Sequence, residues 1–597
     1  MALPNITISS LKDAATDKSF ARGESYFRSG AVRGLTLRQQ TLYAEVEGNE
    51  PQPYRVTVAL DGAGVTEARC SCPYSFGGWC KHIVATLLVC VHQPETVEER
   101  PPLSQLLEQL SLFQAKELIQ SLVSDTPALL ESVDFYVSTL AQTSEATSQK
   151  ASPKRRTKVD PAPYQRRVRE IFREAVSGWE YGQDDDNIAY DMSDLMQEAI
   201  AFAQQGDSDS ALLLLKAITE ASVQYWYIVE DFVGMSPDEF DIDFDTAWAE
   251  VLLSTELSED EVLAWQEEIE VWQDSLGSFA MALEALRQGW DYPPLLRVFR
   301  GEITEKGAWS GEAPDWADDF SQIRLSILDR QERYEDYLHL AEAEGQTQAY
   351  LTMLGRLGRV DQAMTAAQEQ ITTLQQAKAL AETLRSQERF QEALQIAIQG
   401  LRLEDDSNRY LIAEFALWTR SLAEGLGDLA AALKASLAGF KAKPSLKEYQ
   451  KIQALSGGDW PDVRAQLLDQ LRKMDLWHEA DAQIDILLHE NLVDDAVKKV
   501  SRSRLGGYKD GLTLRVMDAA ISSHSQWIID SAVPRAETIM DEGRSKDYGI
   551  AIKWLKRAKA AYSVLGLEDD WLRYRRQLVD AHGRKRKLMS LFEQDGL

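Results

Sequence analysis

Outside one stretch of 21 residues the 597-residue chain has no cysteine, and the four that occur stand at positions 70, 72, 80 and 90. Disulfides that hold a long chain together are spread along it, so this distribution excludes a disulfide framework and points to a metal. Nor is there an apolar run of the roughly 20 residues that a membrane helix needs. The opening MALPNITISSLKDAATDKSF has no apolar centre and carries Asp13 and Asp17, unlike a secretory leader. The expectation is a cytoplasmic protein with no membrane contact. Catalytic signatures are missing too. No GxxxxGK[ST], HExxH or G-x-S-x-G occurs, and His339, His478, His489, His524 and His582 stand singly in helical segments. The sequence predicts no enzyme.

Basic residues are scarce where acidic ones crowd. Residues 184–270 hold 24 Asp and Glu and one basic residue, Lys216, a net −23 of the chain's −31. Residues 150–173 reverse the sign, with nine Lys and Arg against Asp160 and Glu170. Most of the chain therefore repels a phosphate backbone, and weak DNA or RNA binding is expected only through residues 1–173. Within the acidic stretch, Asp238, Glu239, Asp241, Asp243 and Asp245 suggest a calcium loop. One starting at Asp241 needs glycine at its sixth position and glutamate at its twelfth, where Thr246 and Leu252 stand. A solvated acidic face is the expectation.

With 44% hydrophobic residues the composition is globular, and the length suits two to four compact units. The first segment, 1–95, differs from the rest. A helix is expected over Leu11–Ser29, then short strands Val32–Leu37, Thr41–Val46, Tyr54–Leu60 and Val65–Cys72 separated by glycines and prolines. The apolar run His82–Val91 reads as a buried helix. Residues 96–140 form a short helical segment, and 141–163, polar and with three prolines, a disordered basic linker. An acidic helical domain follows over 164–310, with helical spacing in Asp194–Gln204, Ser210–Ser222, Ala247–Leu257 and Glu261–Ser275. Over 311–597 helices come in pairs with similar junctions: Gly358 to Ala363, Gln387 to Ala393, Leu476 to Ala480 and Asn491 to Ala496. Each leads from a polar or glycine turn to an alanine in the next helix. This is similar to degenerate tetratricopeptide-type repeats. The fold class expected is mostly α, a small N-terminal α+β module followed by α-helical hairpin repeats stacked like an α-solenoid.

The cysteines carry the chemistry. Cys70 and Cys72, two apart on a strand, face the same way and can meet one ion. Pro73 ends the ladder, and Gly77 and Gly78 let the loop turn back. Cys80 and His82 follow at the start of the next helix, whose dipole favours thiolate over thiol. Three thiolates and one imidazole complete a tetrahedral Zn2+ site with no position left for a reacting water. Lys81 and Arg69 are expected to offset part of its negative charge. Cys90 reads as a core thiol and His92 as a surface residue.

The pattern C-x-C-x(n)-C-x-H resembles the SWIM zinc finger. Upstream, Ala21–Tyr26 (ARGESY), Gly30–Gly34 (GAVRG), Leu42–Val46 (LYAEV) and then Cys80–Ala85 (CKHIVA) are similar to that family over about residues 10–95. The helical remainder, notably Gly289–Pro294 (GWDYPP), resembles that of bacterial SWIM proteins. The resemblance implies a ββα zinc module held by Cys70, Cys72, Cys80 and His82, of a kind proposed to bind DNA or proteins. The function expected is a zinc-binding, non-enzymatic scaffold for a protein partner. The alternative is a regulatory factor contacting nucleic acid through the finger and the basic linker.

Overall fold

The computed structural model describes residues 6–48, 50, 52–75, 77–126, 159–180, 188–233, 240, 242–277, 279–303, 316–403, 408–474, 479–502 and 510–597. The chain opens with two helices, α1 (Ile8–Ala14) and α2 (Asp17–Arg28), where the sequence suggested one. The break has a local cause. Thr16 is extended, and its hydroxyl accepts the Ser19 N–H at 3.1 Å, so it caps a new helix and ends the old one.

A five-stranded sheet follows: β1 (Val32–Arg38), β2 (Thr41–Val46), β3 (Tyr54–Asp61), β4 (Gly64–Cys70) and the two-residue β5 (Glu98–Glu99). The order is β4-β3-β2-β1-β5, antiparallel except for β5 against β1. Alternation places Leu42, Ala44 and Val46 of β2 and Val56, Val58 and Leu60 of β3 on one buried face. Gly34, at φ +57°, sits at a bulge in β1, where pairing with β2 shifts between Arg33 and Thr36. Helix α3 (Lys81–His92) covers the face with Ile83, Val84, Leu87 and Leu88. It runs close to α2. A Cβ on Gly23 would come within 2.5 Å of Val84 Cγ1, so only glycine permits this approach.

The chain divides into two compact units, one of residues 1–100, 372–381 and 388–597, the other of 101–371 and 382–387. In the first, the finger module seats against the helices Arg409–Gly425 and Leu446–Ser456. The contact is close, since a Cβ on Gly425 would collide with the Ala63 carbonyl oxygen in the β3–β4 turn. It is also ionic. Asp13 lies 2.9 Å from Lys451 and 3.5 Å from Arg420, while Glu448 pairs with Arg420 and Glu424 with Lys451 at 2.7 Å. Lys447 Nζ donates to the carbonyls of Lys12, Asp13 and Ala15, capping the C-terminal end of α1. Three carboxylates thus pair with two cations, Arg420 and Lys451, with Arg420 only 4% exposed. From Phe440 to Leu597 the helices of this unit share one core.

In the second unit, helices Leu103–Glu108 and Leu112–Asp125 occupy the segment expected to be helical, whose residues 127–140 lie outside the described ones. The linker expected over 141–163 also lies outside them up to residue 158. Its last residues differ from the expectation and open a helix, Ala162–Glu180, capped by Asp160 through the Ala162 N–H at 3.0 Å. Helices Ile188–Gln204, Ser208–Tyr225, Phe244–Leu253 and Glu259–Leu276 pack around Trp248, Trp272 and Phe279.

Helical hairpins recur along both units with one turn chemistry. Gly345, Gly358, Gly427 and Asn491 all take positive φ. In each turn the next N–H bonds back to a carbonyl five residues earlier: Gln346 to Ala341, Arg359 to Leu354, Asp428 to Ala423 and Leu492 to Leu487. The alanines picked out at the junctions, Ala363, Ala393, Ala480 and Ala496, are all buried. Leu476, Trp477 and His478 lie outside the described residues.

Candidate metal centre

The end of β4 and the start of α3 bring Cys70, Cys72, Cys80 and His82 together, their ligand atoms all within 4.8 Å of one another. Among the described residues this is the one such group. β4 pairs with β3 up to Cys70 opposite Val56. The ladder runs one step further through Ser71, whose N–H donates to the Arg55 carbonyl at 3.0 Å. Cys72 therefore leaves the strand on the same side as Cys70. The loop then doubles back through Gly77 and Gly78, both at left-handed φ. Its return is pinned to the α1–α2 junction by the Trp79 N–H on the Ala14 carbonyl, 2.8 Å. At Gly78 a side chain would strike that same oxygen. Ser19 of α2 donates to the Tyr74 hydroxyl at 3.1 Å and holds the outer part of the loop.

The four groups fit zinc. With bonds of about 2.3 Å to sulfur and 2.0 Å to nitrogen, a tetrahedral ion sets sulfur–nitrogen edges of about 3.5 Å. His82 Nδ1 stands 3.6 Å from Cys70 Sγ and 4.0 Å from Cys80 Sγ. The imidazole is 2% exposed and turns Nδ1 to the thiols, while its Nε2 has no hydrogen-bond partner. Its pose is set by aromatic neighbours. Tyr54 stacks on it at 4.3 Å and 22°, and Tyr26 meets it edge-on at 5.4 Å. Cys80 is the N-cap of α3, and its thiol is drawn down to about 4. The hydrogen bond from Cys70 is the largest cause, followed by His82 and the Ile83 N–H. The Cys70 thiol moves the opposite way, as the partner that keeps the shared proton.

The two cations expected to balance the centre are engaged elsewhere. Arg69 pairs with Glu67 at the surface, and Lys81 Nζ bonds the Tyr26 hydroxyl at 2.7 Å. Lys81 thereby braces one of the rings that position His82. Sequence reasoning missed Tyr26 and Tyr54, because an aromatic in a helix or at a strand start carries no mark of what it stacks on. Cys90 lies in the module's core, and burial pushes its thiol up to about 12. His92 is exposed and stacks on Phe27 at 5.2 Å.

The weaker candidates have other occupations. Asp243 caps the helix Phe244–Leu253 through Thr246, and Asp245 accepts the Ala282 N–H at 2.8 Å. Asp238, Glu239 and Asp241 lie outside the described residues. His339 faces the Phe299 carbonyl, His489 the ring of Tyr449, and His524 and His582 lie near Asp494 and Asp541. Of the basic stretch 150–173, Arg166, Arg167, Arg169 and Arg173 stand on the helix Ala162–Glu180. There Arg167 reaches Glu170 and Glu174, and Arg169 covers the ring of Tyr225. No helix among the described residues is long and apolar enough to cross a membrane.

Comparison with known proteins bears on the same part of the chain. Residues 54–91 match the SWIM zinc finger family. The chain is 34% identical over 120 residues to the zinc finger SWIM domain-containing protein 8 homolog of Drosophila melanogaster. It is 32% identical over 123 residues to zinc finger SWIM domain-containing protein 8 of Homo sapiens and of Bos taurus. Each match takes in 20% of this chain and only 6% to 9% of the relative. The chain carries a SWIM zinc finger whose cluster of three thiols and one imidazole can hold a zinc ion.

Proposed function

With a SWIM finger as one part of the chain, we propose that the protein is a non-enzymatic, cytoplasmic scaffold that holds a protein partner through the finger and its helical hairpins. The observation that carries this reading is the closed donor set. Four protein ligands fill a tetrahedral ion and leave no position for water or substrate, which is the arrangement of structural zinc and not of catalytic zinc. The hairpins, with their repeated left-handed turns and buried alanines, support a tetratricopeptide-like array of the bacterial SWIM type, whose use is to present an extended binding surface. Affinity purification of the whole protein from its native cell, with and without nuclease, tests the reading. A partner protein retained after nuclease treatment is expected. Capture abolished by nuclease would favour the nucleic-acid alternative. Turnover that disappears with a point substitution outside the zinc ligands would make the protein an enzyme.

A further inference from the structure

Around three of the four ligands, Cys72, Cys80 and His82, the finger opens into a cleft of about 630 Å3, part of which a zinc ion would fill. Its walls come from places far apart in sequence: the first turns of α2, the start of β3, and the loop between β4 and α3. Tyr54, Tyr74 and Pro73 give it apolar walls, Lys18, Arg22 and Lys81 line it as well, and among the described residues no carboxylate does. Zinc with three thiolates and a neutral imidazole carries one negative charge, so three cations exceed what the centre requires. Lys81 is held at the Tyr26 hydroxyl, with its ammonium 4.4 Å from the centre of that ring. Lys18 and Arg22 are exposed and have no ion-pair partner among the described residues.

Their placement is unfavourable within the fold itself. They stand four apart on α2, where like charges repel across one turn. Lys18 also stands in its first turn, where the helix dipole favours anions. An anion held in the cleft would offset both effects. The cleft's size is that of a small-ligand pocket and accommodates a few side chains. Its cations line a single cleft and not the extended groove that successive phosphates need. A long polyanion would be repelled by the field of a chain with net charge −31 more strongly than a short segment with a few carboxylates.

We propose that this cleft is the finger's docking site for a partner protein and takes a short acidic peptide. An aspartate or glutamate pairs with Lys18 and Arg22, and a neighbouring apolar side chain packs against Tyr54 and Tyr74. The proposal rests on the protein-scaffold reading above and names where and by what chemistry the partner is held. The test uses the full-length, zinc-loaded protein and a fluorescein-labelled nonapeptide of alternating aspartate and leucine, followed by anisotropy at low salt. Saturable binding is expected, weakened about tenfold in the double variant Lys18→Glu, Arg22→Glu, in which two charge-assisted contacts turn repulsive. That variant should keep its zinc content and thermal midpoint, and should gain affinity for the lysine–leucine counterpart. Equal binding of the asparagine–leucine peptide, or undiminished binding by the double variant, would overturn the proposal. So would tighter binding of an oligothymidylate through the same two residues. If the acidic peptide fails to bind while partner proteins still co-purify after nuclease, the cleft is excluded and the scaffold reading stands. If nothing co-purifies, the scaffold reading itself fails.

Discussion

His82 shows what a single residue in this protein owes to its surroundings. Its spacing from Cys80 was legible in the sequence, because two residues at a helix start can reach one ion. Its orientation was not legible, since Tyr26 and Tyr54 come from a helix and a strand that precede it by 56 and 28 positions. The tetrahedral set needs every donor, so Cys72→Ser or His82→Ala should lower the zinc found by elemental analysis from one ion per chain to well below it. A full equivalent of zinc in Cys72→Ser would remove that residue from the ligand set. Cys70 and Cys72 share a face because the strand period is two, so their spacing, with the glycine turn and Cys80 and His82 after it, marks the pair as ligands. The cations were harder to place. Arg69 and Lys81 lie next to ligands in sequence, yet Glu67 and Tyr26 claim them. Proximity along the chain does not fix where a long flexible side chain ends.

At the scale of elements, β1 to β4 and α3 were legible because alternation and an apolar run announce a buried face. The pairing of β5 was not, as two glutamates on a two-residue strand have no pattern to read. The zinc ties β4 to α3, while the sheet and its helices have an apolar core of their own, Cys90 included. Chelation should therefore open the 70–82 loop first. After removal of zinc at pH 8, Cys70, Cys72 and Cys80 should become alkylated by iodoacetamide while Cys90 stays intact, as followed by peptide mass spectrometry. A thiol at about 12 is thiolate to roughly one part in ten thousand at that pH, and burial blocks it further. Alkylation of all four at one rate would show that the metal holds the whole module. The seat of α1 on the helices Arg409–Gly425 and Leu446–Ser456 had no local signal, since Asp13 meets its cations across more than 400 residues of chain. Asp13→Ala would leave Arg420 and Lys451 facing only Glu448 and Glu424. It should cost roughly 3 kcal/mol in urea unfolding, the low end for breaking a buried pair because two carboxylates remain. A change under about 0.5 kcal/mol, the range of exposed pairs, would mean the network is solvated.

For the whole molecule the deciding quantity is where the charge lies. Residues 184–270 carry −23, and helices such as Glu259–Leu276 set much of it on an exposed surface. The opposite charge of residues 150–173 is smaller than its count suggests, because Arg167 is already shared between two glutamates and Arg169 lies over Tyr225. That leaves seven basic residues in this stretch, Lys150, Lys154, Arg155, Arg156, Lys158, Arg166 and Arg173, of which Lys154, Arg155, Arg156 and Lys158 cluster within five positions. Exposed charges farther apart than about 8–10 Å are screened at physiological salt, so repulsion from the acidic helices weakens binding without forbidding it at these four positions. An oligonucleotide should accordingly bind the whole chain weakly at low salt, with a steep fall in affinity as salt rises. Replacing the four with alanine should reduce the slope of log affinity against log salt by up to roughly 3 on single-stranded DNA, where each phosphate contact contributes about 0.7. Filter binding or anisotropy across a salt series measures it. An unchanged slope would move any nucleic-acid contact to other cations. Binding that survives the quadruple substitution but is lost in Lys18→Glu, Arg22→Glu would place it in the cleft beside the zinc.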